Sequence, residues 1–179
     1  NVKSLDISIQ MSSSDSNVAP IIDMQRTSAS LIGHIIDKQD SSATSGFNVP
    51  ITYVDETQPT NASSASRHIM TPITLDQDAV GLKIITSAHR PSAADFLLYY
   101  RTATGDEILS DKNWVYLPEE TNNPSDENST VFREYRYLAG GLGGSLSAFT
   151  QFQIKIVMRS TNSAKVPVFG DLRVIALSV

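Results

Sequence analysis

The residues that could do chemistry are three histidines and a scatter of carboxylates, and their spacing does not favour a site. His34 lies among apolar residues, His68 at the start of an expected strand and His89 in an expected turn. None has another ligand-type residue two or four positions away. A zinc or iron site needs several such ligands together, so we interpret all three histidines as structural. The chain contains no cysteine, which excludes disulfides, thiolate ligands and cysteine nucleophiles.

The acidic residues form close pairs in turn-like sequence rather than on rigid elements. A glycosidase needs two carboxylates held across a sugar, and turns do not hold them in that way. Asp76-Gln-Asp78 matches the start of a calcium loop, but the glycine and closing glutamate of such a loop are missing, so calcium binding stays open. The pairs are Asp37/Asp40, Asp55/Glu56, Asp76/Asp78, Asp106/Glu107 and Glu119/Glu120.

The serines and glycines also lack a catalytic arrangement. No serine lies in a Gly-x-Ser-x-Gly elbow. Gly140-Gly-Leu-Gly-Gly144 is not followed by the Lys-Ser/Thr of a phosphate-binding loop, and we expect a flexible connection there. The sequence therefore predicts a protein that is not an enzyme and that carries no cofactor.

A set of aromatic residues is the last candidate for a binding site, and two interpretations of its role stay open. The rings could make a shelf on which sugars stack or a protein partner docks. Alternatively, half of them face the core, because side chains alternate along a strand. The candidate interaction residues in this set are Tyr99, Trp114, Tyr135 and Tyr137.

The elements that would position these residues are short strands separated by turns. From Arg67 onward there are seven strand-like segments at the spacing typical of sandwiches and barrels, and little helical period. We expect an all-β fold: an antiparallel β-sandwich, jelly-roll-like, with an extended N-terminal arm. The predicted strands are Ile69–Leu75, a strand around Leu82 to Thr86, Asp95–Thr102, Trp114–Leu117, Phe132–Leu138, Phe152–Arg159 and Leu172–Leu177.

The first third of the chain has a different residue pattern and composition from the rest. Leu5, Ile7, Ile9 and Met11 alternate with polar residues, which is typical of a half-buried strand. Residues 37–66 are rich in Ser, Thr, Asn, Asp and Gln, and such a stretch is unusual inside a compact domain. We therefore predict an arm or linker with short strands over residues 1–66 and a sandwich domain over residues 67–179.

Charge and hydropathy limit the partners. The net charge of −5, from 14 basic and 19 acidic residues, gives no cationic surface for nucleic acid. No stretch approaches the roughly 18 apolar residues of a membrane span. Charged residues make up only 18% of the chain, which suits a subunit packed against neighbours or an extracellular binding module.

The last thirty residues predict two buried strands joined by a turn. Along the first, Phe152 and Ile154 alternate with Gln153 and Lys155, so we expect it to be half-buried. The second is apolar on nearly both faces. Either it is central in its sheet or its outer face, with Ile175 and Leu177, meets another subunit.

Several of these segments resemble structural proteins of contractile-tailed bacteriophages, including phages of cyanobacteria. The Arg90-Pro91 turn and the ending Asp171-Leu-Arg-Val-Ile-Ala-Leu177 carry most of the resemblance, and Val18–Ser28 resembles the segment that precedes that module. The other matching segments are Leu82–Pro91, Phe96–Thr102, Phe132–Tyr137, Phe152–Asn162 and Val166-Pro.

The resemblance implies a non-enzymatic virion component of the tail or baseplate, assembled in the host cytoplasm. Its partners would be other virion proteins, with many copies in a symmetric assembly. The alternative is a carbohydrate-binding β-sandwich module for host-surface glycans, which rests on the sandwich class and the aromatic set.

Overall fold

The structure is a computed structural model that describes residues 8–15, 17–23, 25, 36–38, 56–60, 64–140, 145–162 and 164–178, with only the backbone at 37 and 38. It divides into two compact units, Asn1–Leu31 and Ile32–Val179. In the described part of the first unit, a turn forms where the Asn17 N–H donates to Asp15 Oδ1 at 2.8 Å. Residues 8–11 of the expected N-terminal strand are not in a strand, and residues 5–7 lie outside the described part.

The second unit is an all-β sandwich of two sheets, which confirms the predicted fold class. The large sheet has the order β1-β8-β5-β6, with β2 and β3 also pairing with β8, and the small sheet has the order β7-β4-β9. All pairs are antiparallel except the two-residue pairing of β1 with β8. The strands are β1 (Asp37–Lys38), β2 (Arg67–Ile69), β3 (Ile73–Ala79), β4 (Gly81–His89), β5 (Ala94–Ala103), β6 (Val115–Leu117), β7 (Arg133–Ala139), β8 (Phe149–Ser160) and β9 (Val168–Leu177).

The connectivity is jelly-roll-like because successive strands mostly change sheet. From β3 to β9 the chain passes to the other sheet at every step except between β5 and β6. The turn after β7 depends on Gly140, whose φ is +68° and whose Cβ, if present, would lie 2.6 Å from the Val80 carbonyl oxygen. Glycine tolerates both conditions, and other residues do not. Gly141 to Gly144, the rest of the expected flexible connection, lie outside the described residues.

Alternation along the strands builds the core between the sheets. Leu82 and Ile84 of β4, Leu98 of β5 and Ile154 of β8 are all fully buried. Two tyrosines of β7 complete the same cluster. Each such side chain contributes about 1.5–3 kcal/mol on leaving water, which makes this cluster the main source of stability.

The closing strands differ from the prediction in two ways. β8 and β9 do not form a hairpin, because β8 lies in the large sheet between β5 and the strands β1, β2 and β3, while β9 is an edge strand of the small sheet. β8 is also buried on both faces, since Gln153 and Lys155 are covered on the outer side of the large sheet. Among the described residues β9 therefore has β4 as its one neighbour, which does not fit the alternative of a central position.

Parts of residues 36–66 contact the sandwich. Ile36 is buried, β1 pairs with the end of β8, and Glu56 is buried against β8. The division of the chain at residue 66 stays a prediction. No helix in the described part of the chain has the length and apolar character needed to cross a membrane.

We expect Ile154→Ala to lower the free energy of unfolding by about 2–5 kcal/mol, because it opens a cavity between the sheets. Ile108→Ala is the matched control, since Ile108 is 65% exposed. Its effect should stay within about 0.5 kcal/mol. Urea denaturation of both variants measures the difference, and equal effects would contradict this description of the core.

Candidate functional site

The candidate aromatic residues are part of the interior and do not form a shelf. Tyr99, Trp114, Tyr135 and Tyr137 are 6%, 3%, 1% and 2% exposed. Tyr135 packs edge-on against Phe96 with ring centroids 5.0 Å apart. Rings buried in this way cannot stack on a sugar, so the aromatic shelf is corrected and the glycan alternative loses the residues on which it rested.

Two of these rings lie on the outer side of the large sheet, where they surround a buried lysine. The Lys155 side chain is fully buried. Its Nζ donates to the Glu56 backbone carbonyl, lies 3.1 Å from Glu56 Oε2 and is 4.9 Å from the ring centroids of both Tyr99 and Trp114. The Trp114 N–H donates to the Thr57 carbonyl at 2.8 Å. The cluster therefore holds the segment around Glu56 against the sheet.

A second cation completes this cluster. Arg101 donates through Nε and Nη2 to Gln153 Oε1 at 2.9 and 2.6 Å, and through Nη1 to the Ser110 carbonyl at 3.0 Å. Its guanidinium lies 4.3 Å from the Trp114 ring centroid, a stacking geometry that arginine favours. Gln153 in turn donates to the Met70 carbonyl at 2.7 Å. These polar groups are engaged with one another, so the cluster stabilises the fold and offers no binding site.

Burial shifts the acid–base behaviour of both cations. Desolvation lowers the pKa of the Lys155 ammonium below its ordinary value of 10.5, while the hydrogen bond with Glu56 opposes that shift. Desolvation likewise lowers the pKa of Arg101. Sequence reasoning placed Lys155 on a solvent face because it alternates with apolar residues. The sequence feature that could have indicated its burial was that Gln153 and Lys155 share one face of a strand rich in β-branched residues.

The residues considered for metal or acid–base chemistry remain apart. His89 is buried, with Nδ1 3.1 Å from the Val131 carbonyl oxygen, while His68 lies on β2 and His34 is outside the described residues. Asp76 and Asp78 are both exposed. In the described ranges, no group of three or more His, Asp or Glu side chains is arranged to hold a metal ion.

The outer face of the small sheet is the most distinctive surface. Ile175 of β9 is 48% exposed and pairs with Lys83, which pairs on its other side with Leu138 of β7. Leu177, the other candidate contact residue on β9, is half-buried. We call this surface the outer face; its residues are Lys83, Ile85, Glu134, Arg136, Leu138, Arg173, Ile175 and Leu177.

Charges flank the apolar residues of the outer face. Glu134 accepts from Arg136 Nε at 2.8 Å and from Arg173 Nη2 at 3.1 Å. Ile85 pairs with both arginines across the sheet. Apolar side chains with a polar rim match the arrangement of a protein–protein interface. This arrangement can bind a complementary protein surface.

An apolar groove opens beside β9 at the edge of the sandwich. It has a volume of about 280 Å³ and is lined on one side by His68 and Ile156 and on the other by residues 169–172 of β9. The two sheets therefore meet incompletely at this edge, and the groove lies directly next to a strand edge.

Comparison of the chain with protein-family models, with curated proteins and with solved structures found no match in any of the three.

We expect Lys155→Met to lower the free energy of unfolding by about 3–5 kcal/mol, because it leaves the Glu56 carboxylate buried without its partner. The double variant Lys155→Met/Glu56→Gln should recover most of that loss, since neither residue then carries a charge. Chemical denaturation of the two variants and the parent chain measures this. A double variant as unstable as the single one would show that the ion pair does not hold the cluster.

The stability should also depend on pH through Lys155. Because its pKa is lower in the folded chain than the 10.5 of the unfolded chain, the unfolded state binds more protons between the two values, and stability rises with pH there. Burial raises the pKa of Tyr137 above 10.0, so stability falls again at higher pH. Denaturation at a series of alkaline pH values below 10.0 should show the rise in the parent chain and not in Lys155→Met/Glu56→Gln. A rise of the same size in both would contradict this assignment.

Proposed function

We propose that this chain is a non-enzymatic structural subunit of a bacteriophage virion, in the tail or baseplate, that acts through protein–protein assembly. The proposal combines the sequence resemblance with one structural observation, the exposed outer face of the small sheet. Ile175 is 48% exposed and lies outside the core cluster. It shares the outer face with the partly buried Ile85, Leu138 and Leu177, and an exposed apolar patch rimmed by polar residues is typical of a protein–protein contact site.

The two sheets differ in a way that supports assembly. The centre of the outer side of the large sheet is covered by the cluster around Lys155 and Trp114. The small sheet has polar ion pairs and apolar side chains side by side on its outer face. The sandwich is then a rigid block with one contact face, which suits a subunit that packs beside copies of itself or other virion proteins.

The N-terminal residues supply a second means of contact in this proposal. Their alternation of apolar and polar residues from Leu5 to Met11 suits an extended segment that reaches a neighbouring subunit. Many copies in a symmetric assembly would each donate one such segment. The site of action is the assembled particle, formed in the host cytoplasm.

We expect Ile175→Asp to abolish or strongly weaken self-assembly, because it places an unpaired charge in the contact. The isolated chain should keep its stability to within about 0.5 kcal/mol, since Ile175 is already largely in solvent. Sedimentation velocity over a range of concentrations measures assembly, and urea denaturation measures stability.

Ile108→Asp is the matched control, an exposed isoleucine to the same acid in a loop outside both sheets. It should leave assembly unchanged. If Ile175→Asp assembles as the parent chain does, the outer face is not a contact surface. If the parent chain remains a monomer, alone and with other proteins of the particle, the proposed function is wrong.

A further inference from the structure

We infer that β9 accepts an added strand, the segment Leu5–Met11 of a second copy of this chain, whose apolar side chains fill the groove beside it. The inference rests on the proposed assembly and deepens it by naming the segment that joins the subunits. Three features carry it: an edge without a partner, an incompletely closed core, and a segment whose length and pattern match both.

The first feature is the edge of β9. Within the described residues, β9 pairs only with β4. The opposite edge of the small sheet is protected, because the Glu120 N–H donates to the Arg136 carbonyl and the Asn123 amide donates to the Glu134 carbonyl, both at 2.8 Å. Proteins usually cover or interrupt a long strand edge, since its free N–H and C=O groups pair readily with another chain.

The second feature is the groove at the same edge. Leu172, Val174 and Ala176 face the core but are only partly buried, whereas their partners Leu82 and Ile84 on β4 are fully buried. The groove of about 280 Å³ lies at one end of this row, beside Leu172. An apolar cavity of about 150 Å³ already holds a benzene-sized group, so the groove has room for one or two aliphatic side chains.

The third feature is the match between the segment and the edge. The regular part of β9 runs over the seven pairs from Asp171 to Leu177, because a bulge at Gly170 interrupts the strand before it. Leu5 to Met11 is a seven-residue stretch with apolar residues at every second position, and a register shifted by one residue from end-to-end pairing brings these residues to the core side of β9. Ile9 and Met11 are 49% and 55% exposed where the structure describes them.

The pairing places each face of the segment beside a complementary surface. Antiparallel pairing of Gln10 with Arg173 places Ile9 opposite Val174 and Met11 opposite Leu172 on the core side, and it presents Asp6, Ser8 and Gln10 on the outer side. Main-chain hydrogen bonds along β9 supply the affinity, as in other cases of strand addition. Each chain donates one segment and accepts one at β9, so the contact is head-to-tail and extends to further copies.

Disulfide trapping tests the contact directly, because the chain has no cysteine of its own. Full-length Gln10→Cys and full-length Arg173→Cys, one with a size tag, are mixed when dilute, concentrated and mildly oxidised. We expect a mixed disulfide dimer of the two sizes. Gln10→Cys mixed with Ser110→Cys is the control, since Ser110 is exposed on the outer side of the large sheet, and it should give none.

Substitution in the segment gives a second measurement. Ile9→Asp should weaken self-association by at least about tenfold, because it removes a buried apolar side chain from the groove. Ser8 is the neighbour of Ile9 on the outer side of the added strand. Ser8→Asp should therefore change self-association by less than about twofold.

The outcomes separate this inference from the proposed function. If the chain assembles but gives no mixed disulfide, and Ile9→Asp assembles normally, strand addition is wrong and the structural role stands. If Gln10→Cys/Arg173→Cys forms its disulfide within one chain in dilute solution, the strand comes from the same copy and the inference is overturned. If the parent chain does not assemble, both the inference and the structural role are wrong.

Discussion

A buried charge in the middle of β8 constrains the rest of the structure. The Lys155 ammonium is out of water, and an ammonium there costs several kcal/mol unless it is paired and hydrogen-bonded. The fold meets this requirement by bringing Glu56 and two aromatic rings over the outer side of the large sheet. The segment around Glu56 is consequently part of the sandwich, although it is ninety-nine residues away from Lys155 in the sequence.

This constraint makes the two sheets unequal. The two central strands of the large sheet, β5 and β8, are covered on both sides, by the core and by the Lys155 cluster, whereas β2, β3 and β6 are largely exposed. The small sheet has only the core beneath it, and its outer face keeps Ile175 in solvent. The proposed contacts lie on the outer face of the small sheet. The glycan hypothesis loses its rings because Tyr99 and Trp114 lie in the cluster on the large sheet, while Tyr135 and Tyr137 lie in the core.

Sequence reasoning predicted the fold class and most strands, and it failed where pairing decides the outcome. The alternation in β4 and β5 was readable, because each strand has one apolar face toward the core. It did not reveal that β8 has two covered faces, since a lysine and a glutamine within a strand are typical of a solvent side. The edge position of β9 was equally hidden, because the same apolar pattern suits a central strand or a contact surface. The pattern indicated that Ile175 faces outward, and Ile175 and Leu177 stay candidate contact residues. The rings were misplaced, because alternation does not show what covers the outer side of a sheet.

The position of β4 between β7 and β9 has a consequence for synthesis of the chain. β4 ends at His89 and its second neighbour begins at Val168, so a ribosome makes nearly eighty residues before the small sheet can close. Pairings so distant in sequence form late and slowly. Until β9 emerges, the nascent chain has neither the outer face nor the edge beside the groove. The outer face and the edge of β9 thus form only after β9 has been synthesised.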